Sequence, residues 1–215
     1  MANRNISFFY YILFFSQCLF SIDIVKYEVE ISTGVGVGRT NEYVYKGNKE
    51  ISRLEWKENL IPILIVNNQF DIFNFIINAN ILSGLPLAIK NGIMEDYDYL
   101  IDNSNALSNY SEHDLYTDKH LNMTFQFGYS FGLGHFKLSP LVGFSYYTRK
   151  WSAVDGYLQY PINNNDEWTN NTPKSNVAGT GISYEQVIKS FSLGFRSDYT
   201  FGENFNISLN AFFYP

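Results

Sequence analysis

The chain has 215 residues, enough for one domain, and is rich in rings and poor in charge: 18% aromatic against 17% charged. A net charge of -6 with no basic patch argues against a nucleic-acid partner. The single cysteine, Cys18, lies near the N-terminus, so the rest of the chain has no disulfide and no thiol nucleophile.

Residues 1–22 are expected to be a secretory signal. Arg4 gives a positive start, Ile6 to Phe20 is almost entirely apolar, and Ser21 is small enough to sit near a cleavage point. The run is short for a transmembrane anchor and is interrupted by Gln17 and Cys18. Beyond residue 22 no stretch is long and apolar enough for a spanning helix. An exported chain of this kind spans a membrane as a closed barrel, in which every backbone hydrogen bond is satisfied.

Period-two alternation runs through several segments. In Tyr27-Val29-Ile31-Thr33-Val35-Val37 the odd positions are mostly apolar, and the even ones are polar or small. Leu121-Met123-Phe125-Phe127-Tyr129-Phe131 and Phe205-Ile207-Leu209-Ala211-Phe213 repeat the pattern. Seven strands are predicted, at 27–45, 51–65, 70–82, 120–131, 136–151, 179–201 and 205–215. Tyr27, Val29, Phe125, Phe127, Leu209 and Phe213 fall on the phase expected to face lipid. Short links at 66–69, 132–135 and 202–204 alternate with long ones at 83–119 and 152–178, with 46–50 on the long side. Short turns at one end and long loops at the other are the pattern of an outer-membrane barrel.

The predicted loop at 83–119 is strongly acidic. Between Lys90 and Lys119 it holds Glu95, Asp96, Asp98, Asp102, Glu112, Asp114 and Asp118 without one Lys or Arg. Asp96 and Asp98 sit one residue apart. Close carboxylates repel each other and shift each other's pKa, which is useful in acid–base chemistry. Other motifs carry less. Gly34-x-Gly36-x-Gly38 has period two and no following helix, so small lumen-facing residues explain it better than a phosphate cradle. Asn163-Asn164-Asn165-Asp166 is expected to be a loop rather than a calcium site. His113, His120 and His135 lack metal-ligand spacing, and Ser111-x-His113 lacks the context of a nucleophile elbow.

Four segments, in order, resemble the omptins, a family of outer-membrane aspartic-type endopeptidases. They are Gly38 to Tyr45, Ile51-Ser52-Arg53-Leu54-Glu55-Trp56-Lys57, Met94-Glu95-Asp96-Asp98 with its flanks to Leu100, and, more weakly, Gly143 to Tyr160 with Trp151, Ala153 and Gly156. The resemblance implies an all-β, antiparallel transmembrane barrel of ten strands, about seven of them present, over residues 23–215. It implies a cleft at the extracellular mouth, in which Asp96 and Asp98 form one catalytic pair. An Asp-His pair opposite activates water. Glu42 matches a glutamate that binds the substrate's basic side chain, and a carboxylate facing a guanidinium is a strong charge-assisted contact.

The family's Asp-x-His lies beyond the seventh strand, where this chain stops at Tyr214-Pro215. The resemblance therefore implies a C-terminally incomplete barrel that is inactive alone. The implied partners are peptides or proteins with basic residues and outer-membrane lipid. No metal or other cofactor is implied; a lipopolysaccharide-like lipid is the one candidate activator. The family's lipid-binding arginine falls at Thr148, beside Arg149 and Lys150. The competing expectations are a non-catalytic barrel acting as adhesin or small pore, and a secreted β-sandwich presenting Trp56, Trp151 or Trp168 to glycans.

Overall fold

The computed structural model describes residues 2–15 (backbone only), 26–85, 89–102, 104–163, 166–201 and 205–213. Cys18, Ser21, Gly202 to Asn204, Tyr214 and Pro215 lie outside them. Among the described residues there are ten strands and no helix. They are β1 (Ala2–Phe15), β2 (Lys26–Lys46), β3 (Lys49–Ile72), β4 (Phe75–Gly84), β5 (Gly92–Asp98), β6 (Asn109–Tyr129), β7 (Phe131–Leu133), β8 (Phe136–Gln159), β9 (Ser175–Phe201) and β10 (Phe205–Phe213). All pair antiparallel, in the order β1-β2-β3-β4-β6-β8-β9-β10. The backbone of β1, within the expected signal, pairs with Ser32–Tyr45 of β2.

The sheet curls into a barrel. Arg196 of β9 reaches across the interior to donate to Gln69 of β3 at 2.6 Å. Glu28, Asn67, Asn78, Gln126 and Asn210, from five further positions around the wall, line the same polar cavity of about 390 Å³.

Cross-strand register fixes both faces. Tyr27, Phe70, Ile77, Phe127, Val142, Leu193 and Phe213 are successive partners from β2 to β10 and form one apolar outer row. Glu28, Gln69, Asn78, Gln126, Gly143 and Ser192 form the adjacent inner row. Phe125, Phe127, Leu209 and Phe213 are all exposed, as a lipid-facing phase requires. Phe125 sits mid-belt, so Phe125→Arg should cost about 2–4 kcal/mol, whereas lumen-facing Asn80→Lys should cost far less. Urea unfolding of the refolded barrel in lipid measures both; equal costs would mean that the two faces are misassigned.

The structure narrows the predicted link at 152–178, since β8 runs on to Gln159 and β9 starts at Ser175, and it corrects two others. The turn expected at 66–69 is continuous β3, and the chain reverses instead at Phe73–Asn74, with Phe73 at φ 54°. Asn67 and Gln69 belong to the lumen phase: Asn67 donates to Glu30, and Gln69 accepts from Arg196. The acidic stretch is mostly strand rather than loop. β4 and β5 share the gap between β3 and β6. β4 pairs with Ile63–Ile72 and Leu121–Tyr129, and β5 with Ser52–Glu58 and Asn109–Leu115. Gly92 opens β5 because the strands approach closely there; a Cβ would lie 2.0 Å from the Lys57 carbonyl oxygen.

Candidate active site

At the long-loop end the interior changes character. Trp56, Met94, Leu115, Trp151 and Ala153 are fully buried and fill the barrel. Trp56, Trp151 and Tyr184 stack with centroids 5.6–5.8 Å apart. Offset stacking of three large rings gives a rigid floor. Below it Glu58 pairs with Arg149 at 3.0 Å and accepts from Thr117 at 2.5 Å. Arg149 also donates to His120 Nδ1 at 3.3 Å. Arg149 is thus a lumen residue, so of the positions beside the expected lipid site only Thr148 and Lys150 fall on the outer phase.

Above the floor lies a row of cross-strand partners: Glu42 on β2, Leu54 on β3, Asp96 on β5 and Ser111 on β6. One step outward, Ser52, Asp98 and Asn109 form the next row. Residues i and i+2 of a strand share a face, which is why an Asp-x-Asp in β5 delivers both carboxyls to the interior. The intervening Tyr97 and the preceding Glu95 face out. The acidic run therefore splits over two faces. Outside, Glu95 pairs with Lys57 and accepts from Tyr110 at 2.9 Å, while Asp114 pairs with Lys90 at 2.5 Å. Inside, Asp96, Asp98 and Glu42 stand together at the long-loop end.

Asp96 is pushed up to about 7. Burial is the main cause, followed by the charge of Asp98; Glu42 adds to it, and the Ser52 hydroxyl and the Tyr97 backbone oppose it. Ser52 Oγ donates to Asp96 Oδ1 at 3.3 Å, and Asn109 donates to Asp98 Oδ2 at 3.4 Å. Loop residue Ser108 secures the strand end, its Oγ donating to the Asp98 carbonyl at 2.9 Å. A carboxyl pair of this kind holds one proton near neutral pH and is suited to general acid–base work.

Asp96, Asp98 and Glu42, the three residues singled out in the sequence, thus come together on the inner face at the long-loop end. Ser52, Ser111, His113 and Tyr160 were not singled out as site residues. Tyr160 lies close enough to Asp96 and Asp98 for their charges to raise its phenol further, after burial. Ser111 and His113 sit on the inner phase of β6 directly beside β5. Their spacing of two, the same as that of the aspartates, was the available signal once that segment was known to be strand.

A barrel with an apolar aromatic outer wall, a polar lumen and a group of carboxyls at the long-loop end defines an outer-membrane β-barrel with a candidate site at its mouth. The chain belongs to the Omptin family, whose family model matches residues 24–214. It is 27% identical over 203 residues to the plasminogen activator of Yersinia pestis, covering 92% of this chain and 62% of that protein. Its fold matches the crystal structure of outer membrane protease OmpT from Escherichia coli with a TM-score of 0.71 at 20% identity, covering 85% of this chain and 62% of that one. The chain spans about 62% of the length of the curated relative it matches. The family is one of Gram-negative outer-membrane proteases, and the outer membrane is the location of this barrel.

Proposed function

We propose that this chain carries the Asp-Asp half of an omptin-type endopeptidase site. The observation behind it is the placing of Asp96 and Asp98 on one face of β5, with Asp96 held near neutral pKa above a buried aromatic floor. In this reading the pair shares one proton and holds the attacking water, while the Asp-His pair implied by the family resemblance takes the water's proton from across the cleft. A closely packed apolar floor strengthens both interactions by lowering the local dielectric. The segment 1–22 acts as export signal in the same proposal, outer-membrane lipid surrounds the wall, and a lipopolysaccharide-like lipid is the candidate activator.

Glu42 binds the basic side chain next to the cut bond. It lies in the same row as Asp96, and its charge is felt there. The name of the plasminogen activator relative fits a protein substrate.

The test is a fluorogenic peptide with paired arginines. The 215-residue chain refolded alone should leave it intact. A chimera that joins residues 24–213 to the remaining strands of the Yersinia pestis relative should cleave it next to arginine. In that chimera Glu42→Ala should raise KM for basic peptides about tenfold or more, the loss of one charge-assisted contact, with a smaller change in kcat. Cleavage by the 215-residue chain alone, or a Glu42→Ala chimera with unchanged preference, would count against these assignments.

A further inference from the structure

We infer that Ser111 and His113 form a positioning chain behind Asp96, anchored by a bulge in β8; the inference rests on the proposed role of Asp96. His113 and Ser111 are 5% and 2% exposed, so neither is free to meet substrate. His113 Nδ1 lies 2.5 Å from the Asp155 carbonyl oxygen, and Nε2 lies 3.2 Å from Ser111 Oγ. A carbonyl only accepts, so the neutral ring carries its proton on Nδ1. Nε2 is then bare and accepts the Ser111 hydroxyl. That hydroxyl hydrogen is committed, and the oxygen presents only lone pairs to its other side.

Across the β5–β6 ladder stands Asp96. The two residues are direct cross-strand partners, which places their Cβ atoms about 4.5–5.5 Å apart. The groups facing Asp96 from the surrounding elements are Glu42 on β2, Ser52 on β3, Asp98 on its own strand and Tyr160 after β8. Ser52 donates to Asp96 and so serves its ionised form. Ser111, with its hydrogen tied to His113, is left able only to accept, and from its place beside Asp96 in the ladder it favours the protonated form. The two serines together hold the carboxyl between its two states.

The anchor is built for closeness. Asp155 has φ 54° and Gly156 φ 109°, at a register shift between β8 and its neighbours. A Cβ on Gly156 would lie 2.0 Å from the Glu112 carbonyl oxygen, so only glycine brings β8 this near to β6. Asp155 Oδ1 accepts from the Gly179 amide at 2.8 Å, which ties the bulge to β9. A non-glycine residue at positive φ persists where its surroundings over-determine it.

The experiment is NMR on the 215-residue chain refolded in detergent, and it needs no activity. Histidine ¹⁵N shifts should show His113 protonated on Nδ1. With aspartate ¹³Cγ labels, assigned with Asp96→Asn, the Asp96 midpoint should fall by about one pH unit in Ser111→Ala and in His113→Gln. Ser111→Thr should restore it. A role in packing alone would lower thermal stability in these variants and leave the Asp96 midpoint where it was. That result, or a His113 ring protonated on Nε2, overturns the inference. A chimera that fails to cleave while these readouts hold tells against the proposed reaction and not against the positioning chain.

Discussion

Asp96→Asn should remove most cleavage by the chimera and make the barrel more stable at pH 8. The rate loss should be about 10²–10⁴-fold, the usual contribution of a positioned acid or base. The stability gain follows from linkage. The carboxyl rises from an ordinary 3.8 to about 7 in the folded protein. Between those values the folded state holds a proton that the unfolded state has released, so stability falls as pH rises through that window. Above pH 7 the folded state carries the full cost of the buried, crowded charge. Asparagine never ionises, so the variant escapes the cost. Its advantage should be present at pH 8, shrink through pH 7 to 4 and vanish below. Asp98→Asn should also lower the rate, and by removing the neighbouring charge it should bring the Asp96 midpoint down. Denaturant unfolding at pH 4 and pH 8, with kcat/KM beside it, checks the set. A stability gain equal at both pH values would mean that Asp96 is not perturbed as described.

The barrel was legible because lipid demands apolar side chains at every second position, and Phe125, Phe127 and Leu209 obey without exception. The same rule hid two features. A lumen tolerates Asn67 and Gln69, which with Asn68 would mark a turn in a soluble protein, so the predicted strand ends at 65 whereas β3 runs on. The acidic stretch hid a strand for the same reason. Glu95 and Glu112 face outward above the lipid, where phenols and Lys57 satisfy them, and their charge masked the alternation. Asp96, Asp98 and Glu42 were found through family motifs. Ser111 and His113 needed the β5–β6 register, which links segments through a loop whose length carries no periodic signal. The bulge at Asp155 was less accessible still, since only Gly156 announces it.

Arg149→Met should destabilise the barrel by about 3–5 kcal/mol, as expected when one partner of a buried ion pair is removed. Both side chains are essentially inaccessible, at 1% and 0% exposure. Without the guanidinium, Glu58 keeps only neutral donors such as the Thr117 hydroxyl, too little for a carboxylate out of water. The double variant Arg149→Met/Glu58→Leu should recover much of the loss, because no charge is left stranded and both replacements pack against the ring floor of Trp151 and Trp56. The contrast between single and double variants separates electrostatics from packing. It also bears on the cleft. The pair lies directly beneath the floor on which Asp96 and Asp98 rest, so the single variant in the chimera should lose kcat through a loosened floor, and the double variant should regain it. Urea unfolding and peptide cleavage measure the two effects. A double variant no more stable than Arg149→Met would show that shape, rather than the stranded charge, sets the cost.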